Sequence, residues 1–363
     1  MTIISQTMPR PTAVGAVAAA DENAPVAAGY GDDRTGVLTA VGSTPLVRLT
    51  RLLPGARFRI WAKLESSNPG GSIKDRSAYV MLSHAIATGA VVPGSGTVVE
   101  SSSGNLGIGM AQACRALGLR FVCVVDPRTN PQNIAIMRAL GAAVHLVTAR
   151  DSATGEYQPV RIARVRELVA SLPGAYWPNQ YANPRNGWAH RVTMREIEDE
   201  LGRAPDHLLC TISSSGTLRG CADWIRERGH ATRVVTVDAE GSAIFGPPTG
   251  RRLLPGHGAA VRPPLFRSGL ADEVMHVSDL DSVVGCRRLA LSEGLLLGGS
   301  SGALATALDR MSDRVPDGSD CVLVMPDRGE RYLDTIYDDA WVKAQFGEVT
   351  HLWKDEMAGA GRC

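Results

Sequence analysis

Two α/β lobes, each a parallel sheet covered by helices on both faces, are the fold this sequence predicts. Three observations carry that reading. A chain of 363 residues is long for a single hydrophobic core. From Ile60 onward, short β-branched runs alternate with stretches of helical period. Glycine-serine loops recur at the strand-to-helix junctions, the edge of a parallel sheet where such folds bind ligands.

Residues 1–36 are rich in Ala, Gly, Pro and Asp, show neither period, and read as a mobile arm. Arg10 with the alanine-rich run that follows is only a faint signal-peptide pattern, too short to outweigh a cytosolic reading. Strands are expected at 58–64, 96–100, 119–125 and 142–147, with helices over 78–86, 106–117 and 131–140. After Asn183 the alternation resumes, with strands at 207–212, 233–237 and 320–325 and helices at 189–200, 216–228 and 302–311. This divides the chain into a large domain, 37–77 plus 179–363, and a smaller mobile domain, 78–178, able to close over a substrate.

Thirty-eight basic residues stand against 37 acidic ones, so charge argues for neither nucleic acid nor a membrane surface. No apolar run approaches the ~20 residues that span a bilayer. The seven cysteines are scattered, form no C-x-x-C pair, and several sit in apolar runs such as Phe121-Val122-Cys123-Val124-Val125. They read as reduced core residues of a cytoplasmic protein, with no metal site and no disulfide framework.

The chemistry lies in the loops. Ser66-Ser67-Asn68-Pro69-Gly70-Gly71-Ser72-Ile73-Lys74 places a lysine at the start of a helix. Dipole and desolvation both disfavour an ammonium there, which makes the amine more available as a nucleophile. In Glu100-Ser101-Ser102-Ser103-Gly104-Asn105, hydroxyls and N–H groups at a helix N-terminus suit a carboxylate or phosphate, and Asn105 adds an amide donor. Ser213-Ser214-Ser215-Gly216-Thr217 has the make-up of a phosphate cup without the lysine of a P-loop. Gly298-Gly299-Ser300-Ser301-Gly302 opens another helix, and Pro326-Asp327-Arg328-Gly329-Glu330-Arg331-Tyr332 is a charge cluster of the kind usually solvated. A lysine nucleophile with three anion-binding loops in a two-lobed α/β pattern points to pyridoxal phosphate chemistry.

In this order the loops resemble the cysteine synthase family of pyridoxal-phosphate enzymes (fold type II), from Val41-Gly42-Ser43-Thr44-Pro45-Leu46 to Tyr332. The resemblance implies that Lys74 holds the cofactor as a Schiff base and that Asn105 bonds the pyridine hydroxyl oxygen. It implies that Ser213, Ser214, Ser215, Gly216 and Thr217 cradle the phosphate and that Ser300 faces the ring nitrogen. Ser102, Ser103 and Gln180 would hold the substrate α-carboxylate, and the enzyme would be a homodimer.

The chain departs from the sulfhydrylases at Ser213-Ser214-Ser215, at Asn105-Leu106-Gly107, at Asn179-Gln180-Tyr181, at Asp238-Ala239-Glu240-Gly241-Ser242 and in the 326–334 tail. With Asp126-Pro127-Arg128 and Tyr176-Trp177-Pro178, these departures resemble a narrower branch, the N-(2-amino-2-carboxyethyl)-L-glutamate synthases. That branch joins O-phospho-L-serine to L-glutamate by β-replacement, on the way to 2,3-diaminopropionate for siderophores or nonribosomal peptides. Lys74 would move the Cα proton, and donors at Ser213 and Tyr181 would favour a dicarboxylate over sulfide. The departing phosphate needs a cation, for which Arg128, Arg185 and Arg219 are the loop candidates. The alternatives are a cysteine synthase using O-acetylserine or O-phosphoserine, a serine or threonine dehydratase, and a non-catalytic scaffold.

Overall fold

A computed structural model describes residues 34–152 and 155–353. All but the last three residues of the expected arm, and Cys363 with it, lie outside the described residues. Elements are numbered in chain order. The larger sheet runs β1 (Leu46–Leu49), β2 (Arg59–Leu64), β10 (Asp320–Met325), β7 (His207–Thr211), β8 (Arg233–Ala239) and β9 (Glu273–Val277). Only β1 is antiparallel to its neighbour. The smaller sheet, all parallel, runs β5 (Ala143–Leu146), β4 (Arg120–Val125), β3 (Thr97–Ser101) and β6 (Ala175–Tyr176). Central strands β3 and β10 are buried along their whole length, which is why β10 reads as an unbroken apolar run from Cys321 to Met325 and not as alternation.

Helices cover both faces of each sheet, as expected of this fold class. On the small sheet, α1 (Lys74–Ala87), α2 (Asn105–Ala116) and α3 (Pro131–Ala139) share one core, and α4 (Gln158–Ser171) packs on the other face. On the large sheet, α7 (Asp279–Glu293) and α8 (Gly299–Met311) lie on one face. Helices α5 (Pro184–Leu201) and α6 (Gly216–Glu227) lie on the other. A short α9 (Asp339–Phe346) joins Tyr332, Ile336 and Trp353 in a satellite cluster. Six of the cysteines are free and buried.

Helix α5 starts five residues before the expected 189 because Asn183 caps it, accepting from the Arg185 N–H at 3.0 Å, with Pro184 as its first residue. Helix α7 was not anticipated. Its signals are the Ser278 hydroxyl accepting from Asp281 N–H at 3.1 Å and Gly294 in the left-handed region beyond its end. Helix α4 gives a weak sequence signal, because it buries only Val165 and Leu168 and its apolar residues are interrupted by Arg161, Arg164, Arg166 and Glu167.

The first turn of α1 is anchored by a buried ion cluster. The Arg76 guanidinium donates to Glu65 at 2.7 and 2.8 Å and to Glu196 at 2.8 and 2.6 Å. Lys63 lies 3.1 Å from Glu196 and 2.5 Å from Glu200, so β2, α1 and α5 are tied at one point. Burial alone would raise the Glu196 carboxyl, but the Arg76 hydrogen bonds and the charges of Arg76 and Lys63 take it from 4.5 to about 2. A depressed carboxyl contributes its stability above the unfolded value and loses it as pH falls through the folded one. Glu196→Gln should therefore lower stability at pH 7 by about 3 kcal/mol. Denaturant midpoints should show that deficit shrinking between pH 4.5 and 2.

Candidate active site

The carboxyl ends of β3, β7 and β10 face a cavity of about 380 Å³, bordered by Lys74, Ser102, Ser103, Asn105, Gln180, Tyr181, Ser213, Ser214, Ser215, Gly216, Thr217 and Ser300, the residues expected to hold cofactor and substrate. Lys74 is the first residue of α1, its N–H donating to Ser72 Oγ at 3.2 Å. Desolvation lowers the pKa of its ammonium, against a smaller opposing pull from Asp327.

The loop after β7 turns into α6 at Ser215, which sits at φ +72° in the left-handed region. This aims the first N–H groups of a twelve-residue helix at the cavity. Ser215 Oγ is buried with no partner among the described residues, and Ser214 Oγ accepts from Asn186 Nδ2 at 3.1 Å. Gly216 packs on the Asn186 amide so closely that a Cβ would collide with it. Ser213 Oγ donates to the Gly258 carbonyl at 3.2 Å.

On the opposite wall, Ser102 Oγ accepts from the Gly107 N–H at 3.0 Å, holding the loop in which Ser103 also borders the cavity. Asn105 Nδ2 donates to Asp327 at 2.7 Å, and Asn105 Oδ1 accepts from Arg331. Gln180 is buried, its N–H donating to Glu100 at 3.2 Å. Tyr181 is half-buried, and among the described residues its hydroxyl has no hydrogen-bond partner.

Residues 37–327 match the family described as pyridoxal-phosphate dependent enzyme. The chain belongs to that family.

This pyridoxal-phosphate enzyme is similar both to synthases known by sequence and to enzymes of solved structure. It is 47% identical over 307 residues to an N-(2-amino-2-carboxyethyl)-L-glutamate synthase from Ralstonia nicotianae, covering 84% of this chain and 90% of the relative. It is 44% identical over 310 residues, with the same coverage, to the synthase of that name from Cupriavidus metallidurans. Among solved structures, the O-acetylserine-dependent cystathionine beta-synthase from Helicobacter pylori superposes with a TM-score of 0.77 at 34% identity, covering 84% of this chain and 99% of that one. O-ureido-L-serine synthase superposes at 0.76 and 29% identity, covering 90% and 98%.

The donor set fits the cofactor. An amine of lowered pKa suits the aldehyde, and an orphaned buried hydroxyl beside oriented N–H groups suits the phosphate. Among the described residues no cluster could hold a metal ion.

Ser300 is the second residue of α8, whose cap is Gly298, so its hydroxyl does not cap the helix. Its Oγ lies 3.5 Å from Nδ1 of His257, a buried imidazole that desolvation and Arg252 pull down to about 4. Ser300 therefore stands beside a neutral ring at pH 7.

The charge cluster expected to be solvated is exposed only at Arg328 and Glu330, whereas Asp327 and Tyr332 border the cavity. Asp327 and Arg331 are buried, and the Asp327 carboxylate accepts from Tyr332 Oη at 2.6 Å as well as from Asn105. Of the three candidate arginines only Arg128 borders the cavity, paired at 3.1 Å with Glu156. Arg219 packs on Gly187 and lies 3.7 Å from Asp223, while Arg185 is buried away from the cavity wall. The arginine that the sequence reading missed is Arg161, in the first turn of α4. It borders the cavity, its Nε lies 3.3 Å from Asp126, and among the described residues its buried Nη1 has no hydrogen-bond partner.

Proposed function

We propose that this enzyme carries out β-replacement on O-phospho-L-serine with L-glutamate, giving N-(2-amino-2-carboxyethyl)-L-glutamate and phosphate. The observation that carries the reading is Arg161 on the wall that also holds Lys74, its buried Nη1 without a hydrogen-bond partner among the described residues. A buried cationic donor with no acceptor is costly unless a ligand supplies an anion, and neither an acetyl group nor sulfide brings a phosphate dianion. The Tyr181 hydroxyl, likewise without an acceptor among the described residues, borders the same cavity and suits a second carboxylate. The names of the two relatives support the same conclusion.

Pyridoxal phosphate, when bound, supplies the electron sink that lets the Cα proton and the Cβ substituent of an amino acid depart. Lys74 would hold it, with Asn105 and Ser300 against the ring and 213–217 around the phosphate. Lys74 Nζ then takes the Cα proton and returns it after the glutamate amine has joined Cβ. Ser102, Ser103 and Gln180 hold the α-carboxylate, and Arg161 meets the leaving phosphate. With a hydroxyl at 300 and a neutral imidazole behind it, no group there keeps a ring nitrogen protonated, which favours elimination over transamination. The smaller lobe of 78–178 would close during this cycle in a cytoplasmic homodimer. Among the described residues no helix is long and apolar enough to cross a membrane.

The test is product identity. The loaded enzyme given O-phospho-L-serine should form the glutamate adduct, read by mass spectrometry, and form little cysteine when sulfide replaces glutamate. Cysteine alone would make it a cysteine synthase, and pyruvate without either nucleophile a dehydratase. In the same assay Tyr181→Phe should raise the glutamate KM roughly tenfold, the cost of one hydrogen bond to a charged group. Ser213→Gly should act less strongly, because its proton already serves Gly258.

A further inference from the structure

The geometry points to Asn186 as a positioning residue that turns the Ser214 hydroxyl into a donor for the cofactor phosphate, through a hydrogen-bond relay reaching His190. This rests on reading 213–217 as the phosphate cradle. Asn186 is buried on α5 and borders no part of the cavity itself. Its Nδ2 donates to the Gln180 carbonyl at 2.8 Å and to Ser214 Oγ at 3.1 Å, and its Oδ1 accepts from Ser77 Oγ at 2.7 Å.

The Gln180 carbonyl fixes which way the amide faces. Turned over, Asn186 would set one carbonyl oxygen against another and lose both donated bonds. With the amide fixed, the Ser77 proton goes to Asn186 Oδ1, so Ser77 Oγ must accept from His190 Nε2, 3.1 Å away. His190 then carries its proton on Nε2 and is neutral, consistent with the depression of its pKa by burial and by the charges of Lys74 and Arg76. Its Nδ1 is left to accept from Thr193 Oγ1 at 3.4 Å.

Every proton in this chain is therefore assigned except the last. Ser214 Oγ accepts from Asn186 and, at 3.5 Å, from the Gly216 N–H. Among the described residues its own proton finds no acceptor, and Ser214 borders the cavity. The proton is free to donate to a phosphate oxygen. Without Asn186 the hydroxyl can rotate and lose that role.

Full-length protein freed of cofactor and titrated with pyridoxal 5′-phosphate or with pyridoxal separates this role from a general loss of structure. Wild type should prefer the phosphorylated form strongly. Asn186→Ala should shrink that preference roughly tenfold to a hundredfold, the range for a hydrogen bond to a charged group. Pyridoxal affinity should stay within about twofold. In a Ser214→Ala background, Asn186→Ala should change the preference less than about twofold.

An equal loss for both ligands would make Asn186 merely structural and overturn the proposal, as would an undiminished effect in the Ser214→Ala background. A wild type with no preference would overturn the cradle reading and this proposal together. If Asn186→Ala does not fold, Ser77→Ala tests the relay one bond further back, with a smaller loss of the same preference expected and an unchanged preference overturning it.

Discussion

Lys74→Ala should lower kcat by at least ~10²–10⁴-fold, the range for removing a positioned general base. The protein should still bind cofactor, but borohydride should no longer fix it to the chain. Lys74 stands at the first position of α1, where desolvation lowers the pKa of its ammonium. The shift favours the neutral amine, the form able to bond the cofactor and to move the Cα proton. Lys74→Arg should fail as completely, since a guanidinium stays charged and cannot act as the base. Turnover in either variant within tenfold of wild type would remove Lys74 from the mechanism. The fold should survive both changes, because α1 is anchored two residues further on by Arg76 and its two carboxylates.

Arg161→Gln should raise the O-phospho-L-serine KM roughly tenfold to a hundredfold, while turnover of O-acetyl-L-serine changes by less than about twofold. The contrast between donors is the decisive readout. Both substrates share the amino acid part, and they differ in the charge that departs. A guanidinium donor with no acceptor at Nη1 among the described residues suits the charged one. The substitution also leaves the buried Asp126 carboxylate without its cation, so thermal stability should drop. The double variant Arg161→Gln/Asp126→Asn controls for this, restoring stability without restoring affinity for the phosphorylated donor. If both donors weaken alike, Arg161 holds the small lobe together and does not read the leaving group.

Much of the fold was legible because it is written in local patterns. The buried parallel strand β10 reads as a nearly unbroken apolar run, and it lies at the very residues expected. The loops were legible for a related reason, since glycine and serine at strand-to-helix junctions mark helix N-termini whose N–H groups face a ligand. What escaped was of two kinds. Helix α7 had its cap and its terminal glycine in plain view, but its weak apolar periodicity hid it. Arg161, His257 and the burial of Asp327 had no local signal, because each depends on what another part of the chain places beside it.

The sequence by itself determined the fold class, the lysine and the loops that surround it, since these rest on backbone preferences and short-range hydrogen bonding. Only the tertiary structure decided which charges face the cavity. An arginine on an exposed-looking helix and an aspartate in a charge-rich tail look like surface residues until packing removes their water. Burial is a property of neighbours far apart in the chain, and it is burial that turns a charged side chain into a binding group.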